Sequence, residues 1–375
     1  MGNNSCMETA LVIGGTGPTG PLIVNGLTRR GYKVTIMHTG RHETDLISNE
    51  VEHIHTNPFD RNASAEAINT RTFDLGVVMY GRLRDLVELL AGKIGHLVTI
   101  GGVGVYHGFA NPDDLFPEGL PVPNPSSAEL VGDDEHFRKL RKIRETEEAV
   151  FALHPEAIHL RYPQIYGPRQ ILPREWPIVR RAIDRRPTLI VPDGGLTLKS
   201  QMWIENAAHA TLLACDRPIS AIGKIYNVSD QQSLSITQIA EIVADEVGHE
   251  WELISIPHYL APSTRPMLTS WSNTHRVLDI APAVRDLGYS DVKSPVQAWR
   301  EATRYLLENP PEKGGPVEQQ LNDPFEYESE DIQIEIFKKY ASDLRKVSWV
   351  SEPGYSSAYV GRQENPATRT PLTKL

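Results

Sequence analysis

Cysteine is almost absent from this chain of 375 residues: there are two, Cys6 and Cys215. Placed so far apart, they offer neither a disulfide framework nor a Cys-x-x-Cys metal spacing, and they suit a reducing compartment. Basic residues are outnumbered, with 38 Lys and Arg against 48 Asp and Glu, a net charge of −10. A phosphate backbone is repelled by that balance unless basic residues cluster, so no nucleic-acid partner is expected. Long apolar runs are missing too. None reaches the roughly 18 residues of a membrane helix, so no membrane partner is expected. The first residues, MGNNSCMET, lack the basic and apolar regions of a secretory signal. The expectation is a cytoplasmic protein. No metal-ligand spacing stands out, so no metal is expected.

What is present is ordinary globular material, 40% apolar and 23% charged, enough to build a sizeable core. TALVIG (9–14) reads as a short buried strand, PLIVNGLTRRG (21–31) as a helix, and YKVTIMH (32–38) as the next strand. Further apolar runs follow at 75–80, 96–101 and 157–162, with helical patterns between them. Strands alternating with helices predict a Rossmann-type, doubly wound parallel α/β sheet over residues 1–170. Residues 171–310 mix helices and strands and read as a smaller substrate-binding subdomain. Within them, Ser235 and Gln238 have capping-box spacing. Residues 109–135 are rich in proline and read as a long surface loop near the ligand. Residues 311–375 form a C-terminal extension. Its segment 329–347 has apolar positions enough for a helix that docks on the body or on a second subunit, which leaves a homodimer open.

Between the first strand and helix lies Gly14-Gly15-Thr16-Gly17-Pro18-Thr19-Gly20. Glycines at G-x-x-G-x-x-G spacing permit a tight turn, a close approach of backbone to a pyrophosphate, and tight helix–strand packing. The helix N-terminus then faces the anion. The end of the second strand, about 18 residues after Gly20, is where a carboxylate would take a ribose 2′-hydroxyl. That place holds His38, with Arg41 shortly after. An arginine beside a missing acid suits a 2′-phosphate, so NADP is the expected cofactor, with NAD possible. Asp60, beyond the third strand, is a candidate partner of the adenine amino group, or an ordinary turn residue.

Four stretches in this order resemble the extended short-chain dehydrogenase/reductase family, which includes nucleotide-sugar epimerases and dehydratases. They are GGTGPTG, VTIGGVGVYHG (98–108), LRYPQIYGPRQ (160–170) and QMWIENAAHA (201–210). The resemblance spans about residues 8–308. It implies a Ser or Thr after the fifth strand and a Tyr-x-x-x-Lys on the next helix, whose phenolate moves a proton while hydride passes to or from the nicotinamide. Laid on that pattern, the hydroxyl slot falls on Gly102. The following helix, EHFRKLRKIRETEEAV (135–150), contains no tyrosine. One register puts Lys139 at the tyrosine place and Ile143 at the lysine place. A slip of one puts Arg138 and Lys142 there.

Lys139 and Lys142 therefore stand either as replacements for the tyrosine or as a solvated basic face. Tyr80, Gly101, Tyr106, Tyr162 and Gln164 follow from position, since ligands bind outside the carboxyl ends of parallel strands. Tyr80, Gly101 and Gln164 are assigned to the cofactor, and Tyr106 and Tyr162 to the chemistry. The expectation is an NADP(H)-dependent oxidoreductase or epimerase/dehydratase-type enzyme acting on a small organic substrate. The alternative is a catalytically silent NAD(P)-binding sensor or partner subunit.

Overall fold

The computed structural model describes residues 7–41, 44–79, 84–134, 138–351 and 353–354. Strand β1 (Thr9–Ile13) is buried except at Thr9. It is apolar along its length rather than alternating because helices cover both faces of the sheet. Helix α1 (Gly20–Arg29) begins with Pro21 in its first turn and stops before Gly31, whose φ of +89° no helix accepts. Then come β2 (Lys33–His38), β3 (Glu52–His55), α2 (Arg61–Ile68), β4 (Phe73–Val78), α3 (Arg84–Leu90) and β5 (Ile94–Gly102). A short α4 (His107–Ala110), the long α5 (Arg138–Leu153) and β6 (Ile158–Tyr162) complete the first half.

The sheet is parallel, in the order β10-β6-β5-β4-β1-β2-β3, where β10 (Ile225–Asn227) arrives from the second half of the chain. The order reverses between β1 and β4, which opens the crevice where ligands of such sheets bind. One face packs around Ile23, Val24 and Leu27 of α1, the other around Leu86, Val87 and Leu90 of α3.

In the second unit, β7 (Gln164–Tyr166) pairs with β9 (Gln201–Trp203), and β8 (Thr188–Pro192) pairs with β11 (Glu252–Ile256). Helices α6 (Trp176–Ile183), α8 (Ile236–Val247), α9 (Arg265–Leu268) and α11 (Pro295–Glu308) enclose a core holding Trp176, Trp203 and Trp299. The capping box at Ser235 and Gln238 is formed. Helices α7 (Ile204–Cys215) and α10 (Ala281–Leu287) instead contribute Ala207, Ala210, Ala283 and Leu287 to the core of the large sheet. The division expected at residue 170 is therefore crossed by α7, β10 and α10. A parallel sheet needs cover on both faces, and the chain returns to supply it.

The proline-rich stretch is pinned to the sheet rather than loose over the ligand crevice. Asn124 is buried, its N–H donates to the Val277 carbonyl at 2.7 Å, and its own carbonyl accepts from Asn227 Nδ2 at 3.0 Å. The extension adds α12 (Pro316–Leu321) and α13 (Tyr327–Leu344). Ile334 of α13 is buried against Ile190, Ile254 and Ile256 of β8 and β11. Arg181 is buried between Asp323 and Glu330, with Nη1 donating to Asp323 Oδ2 at 2.7 Å. The final stretch, which the sequence suggested could reach the cleft, lies outside the described residues.

Candidate functional site

The glycine turn stands at the carboxyl end of β1, beside the point where the strand order reverses. Gly14 and Gly15 have φ of +110° and +85°, and the Gly14 N–H donates to the Met37 carbonyl at 2.9 Å, tying the turn to β2. A Cβ on Gly20 would stand 2.2 Å from the Gly15 backbone, so the helix packs against the turn with no room for a side chain. Gly17 is the opposite case. It is exposed, and a Cβ there would meet nothing within 4 Å. Thr16 and Pro18 are half-buried beside it, and Thr19 is buried. The result is a backbone turn open to solvent at Gly17, at the carboxyl end of β1 and the N-terminus of α1, the place where such sheets bind a pyrophosphate.

The expected ribose readers separate. Arg41 is exposed just past β2. His38 is buried, its Nδ1 faces the Gly40 N–H at 3.3 Å, and its Nε2 lies 3.1 Å from His53 Nδ1. The ring is thus turned toward β3, where His55 also converges. Histidines 53 and 55 read as ordinary residues in the sequence, and the structure joins them to His38. Asp60 caps α2, accepting from the Ala63 N–H at 3.0 Å. Tyr80 lies outside the described residues.

At the expected catalytic slot, Gly102 ends β5. A Cβ there would find only the Tyr162 carbonyl, at 3.8 Å. The hydroxyl is therefore absent although there is space for one. Gly101 differs, because a Cβ would collide with His159 Nε2 at 2.5 Å. Its lack of a side chain makes room for that ring. On α5, Lys139 and Lys142 are exposed. Ile143, at the lysine place, packs against the cluster of Val105, Tyr106 and Leu278. The side of α5 facing β5 and β6 presents Glu147 rather than a cation.

Glu147 anchors a buried network. His159 Nε2 meets its Oε1 at 3.0 Å, and Arg161 donates to both oxygens, at 3.0 and 2.7 Å. Burial alone would raise its pKa, but the His159 and Arg161 bonds win and pull the carboxyl down to about 2. Arg161 Nη1 donates to the Tyr106 hydroxyl at 2.8 Å, which donates to Asn227 Oδ1 at 2.5 Å. Tyr106 is fully buried and locks β5, β6 and β10 together. The Tyr162 hydroxyl donates to the Ala207 carbonyl at 2.7 Å and also contacts Thr211. Burial raises both phenols above the usual tyrosine range. Neither tyrosine assigned to the chemistry offers a hydroxyl to the crevice.

A different group does stand beside Gln164. Lys199 Nζ donates to Gln164 Oε1 at 2.8 Å and to the Thr269 hydroxyl. Both of these partners are neutral oxygens. Burial, with Arg276 and Arg174 nearby, lowers its pKa to about 7. Arg276 is buried and donates to Ser270 and Ser272, each at 3.0 Å. Thr269 and Ser270, with Arg174 and Arg265, line a cavity of about 830 Å3 between the second unit and the extension. The opposite wall carries Asp323 and Glu330, both taken by Arg181. Two of these cations, Arg174 and Arg265, thus line the cavity, while Lys199 and Arg276 bond to its Thr269 and Ser270. Sequence reading missed them because they come from segments near 174, 199 and 265–276, which only the β7–β9 pairing and α9 bring together.

No protein-family model matches the chain. The UDP-N-acetyl-alpha-D-glucosaminuronate decarboxylase of Bacillus cytotoxicus is 23% identical over 278 residues, 67% of this chain and 84% of its own length. Among solved structures, a UDP-glucose 4-epimerase of the hyperthermophile Thermotoga maritima, with UDP-glucose, matches with a TM-score of 0.63 at 14% identity. It covers 80% of this chain and 99% of its own. The UDP-glucuronic acid 4-epimerase of Bacillus cereus, in complex with NAD, matches over 80% of this chain and 99% of its own, with a TM-score of 0.61 at 15% identity. The chain therefore has the Rossmann-type fold of these epimerases, and in sequence it resembles the extended short-chain dehydrogenase/reductase family.

Proposed function

We propose that this chain is a nicotinamide-dinucleotide-dependent enzyme of the oxidoreductase or epimerase type, acting on a small anion-bearing substrate of the nucleotide-sugar class. Proton transfer falls to Lys199 in place of the missing tyrosine. The observation that carries this reading is the Lys199 ammonium, held by neutral oxygens next to Gln164 and backed by Arg174 and Arg276. A pKa near 7 suits a group that must both take and give a proton at neutral pH.

The glycine turn fits the pyrophosphate of the dinucleotide, which when bound supplies hydride transfer at a substrate carbon. Arg174, Arg265 and Arg276 hold the anionic part of the substrate. Neutral Lys199 takes the proton of the reacting hydroxyl. The named relatives, a decarboxylase and epimerases of UDP-linked sugars, support this substrate class. The exposed Arg41 and the absence of a carboxylate at the end of β2 support NADP over NAD. The second reading, a silent sensor, is favoured by Gly102 and Ile143 at the catalytic places.

One set of measurements separates them. Wild-type protein is assayed for turnover of UDP-sugars with NADP+ and NAD+, and the pH profile is recorded. Activity is expected to rise as pH passes through about 7, when Lys199 loses its proton. Lys199→Met and Lys199→Arg should each lower kcat by about 100-fold or more, and Lys199→Arg, which keeps the charge, should hold KM. Full activity in Lys199→Arg would make the residue an anchor rather than a base. Tight dinucleotide binding with no turnover of any UDP-sugar would favour the sensor. Arg41→Ala should cost about tenfold in NADP+ affinity and nothing for NAD+, since a charged hydrogen bond contributes roughly 1.5–3 kcal/mol. Equal loss for both would return the cofactor preference to NAD.

A further inference from the structure

Three histidines meet at the carboxyl ends of β2 and β3. In the parallel register His38 lies beside His55, and Ile36 beside His53. Residues two apart on a strand share a face, so all three imidazoles project from the same side of the sheet. Each offers a ring nitrogen, and these ligand atoms lie within 4.8 Å of one another. His38 Nε2 and His53 Nδ1 are 3.1 Å apart. The ring centroids are separated by 5.2, 4.9 and 6.0 Å, and all three pairs meet edge to face. The arrangement is graded in burial: His38 is buried, His53 half-buried and His55 exposed.

We propose that His38, His53 and His55 bind one divalent transition-metal ion of the Zn2+ class. Two nitrogens, each about 2.0–2.1 Å from a tetrahedral zinc, stand roughly 3.3 Å apart, which the His38–His53 separation already meets. His55, exposed on the edge strand, closes the site by a side-chain rotation. Imidazole ligands select Zn, Cu, Ni and Co over Mg and Ca, which prefer oxygen. Three protein nitrogens leave a fourth position for water or an anion oxygen. His38 as a ligand through Nε2 carries its ring proton on Nδ1, so the long 3.3 Å contact from the Gly40 N–H is given up. That contact is weak beside a metal bond. The ion fastens the four-residue edge strand β3 to β2, next to the loop that carries Arg41. It takes no part in the chemistry proposed above, so its presence or absence leaves that reading untouched.

The test uses the full chain, purified without a polyhistidine tag and stripped with a chelator. Co2+ is titrated and the visible ligand-field bands are recorded, then Zn2+ is added in competition. One Co2+ per chain is expected, with bands of a nitrogen-ligated site, displaced by one equivalent of Zn2+. Mg2+ should neither bind nor displace. His55→Ala, an exposed position that leaves the apo fold intact, should weaken binding by at least about tenfold. His53→Gln should do the same. His249→Ala, at a ring that contacts the Arg186 carbonyl far from the cluster, should leave binding unchanged. Thermal melts of the stripped variants check that each is folded. Absence of stoichiometric binding in the wild type, or equal affinity in His55→Ala and the wild type, would overturn the site. The His38–His53 contact would then be a plain hydrogen bond between neutral rings.

Discussion

Two adjacent glycines at the end of β5 have opposite reasons for being glycine. Gly101 is required by packing, because a side chain would displace His159 from its bond to Glu147. Gly102 has room for a side chain, with only the Tyr162 carbonyl in van der Waals reach, so packing does not require its glycine. Both have backbone angles open to other residues, since neither is among the positive-φ glycines. Substitution separates the two. Gly101→Ser should destabilise by roughly 1–3 kcal/mol through overpacking, while Gly102→Ser should stay within about 0.5 kcal/mol of the wild type. Urea melts of the two variants give the comparison. Equal destabilisation would mean that the slot after β5 is closed, and that the lost hydroxyl reflects the fold rather than a relocated active site.

At the scale of elements, the extension is held by buried ion pairs as well as by apolar contacts of Leu321 and Ile334. Arg181 of α6 is buried with Asp323 and Glu330 on either side of its guanidinium, and Arg180 reaches Glu318 of α12. Along α13, Ile334 is buried while Ile332, Ile336, Tyr340 and Leu344 are exposed. Arg181→Met leaves two buried carboxylates facing each other without a cation. The expected cost is about 3–5 kcal/mol, with faster hydrogen exchange in residues 316–344 and little change in β1–β5. Unchanged exchange in the extension would show that Ile334 and its neighbours suffice to dock it.

The elements of the first half were legible because each carried a local signal: an apolar run bounded by turn residues, or a glycine spacing between strand and helix. The tail helix was legible for the same reason. The grouping of Lys199 with Arg174 and Arg276 was not, because these residues become neighbours only through strand pairing within the second unit. Lys139 and Lys142 sit at the family's slots in one register or the other. In the structure both are exposed, and Ile143 packs inward against Val105, Tyr106 and Leu278. The His-x-His at 53 and 55 was a readable signal, since alternate residues on a strand share a face, but His38 joins it only by register.

At the scale of the whole molecule, the glycine turn sits at the centre of the large sheet, between β1 and the helix that covers it. A ligand bound there contacts only the folded state, so it should stabilise the entire chain. At one hundred times its dissociation constant a dinucleotide adds about 2.7 kcal/mol. Gly17 allows this to be tested without disturbing the fold. It is exposed, its φ is not positive, and a Cβ would meet nothing within 4 Å. Gly17→Asp should therefore leave the ligand-free stability within about 0.5 kcal/mol. The new carboxylate stands where the pyrophosphate would lie, and like charges repel it. NADP+ should raise the melting temperature of the wild type and leave that of Gly17→Asp unmoved. Arg276→Met, in the second unit, should keep the dinucleotide-induced shift in full. A shift that survives Gly17→Asp would place the nucleotide elsewhere and detach the cradle from function.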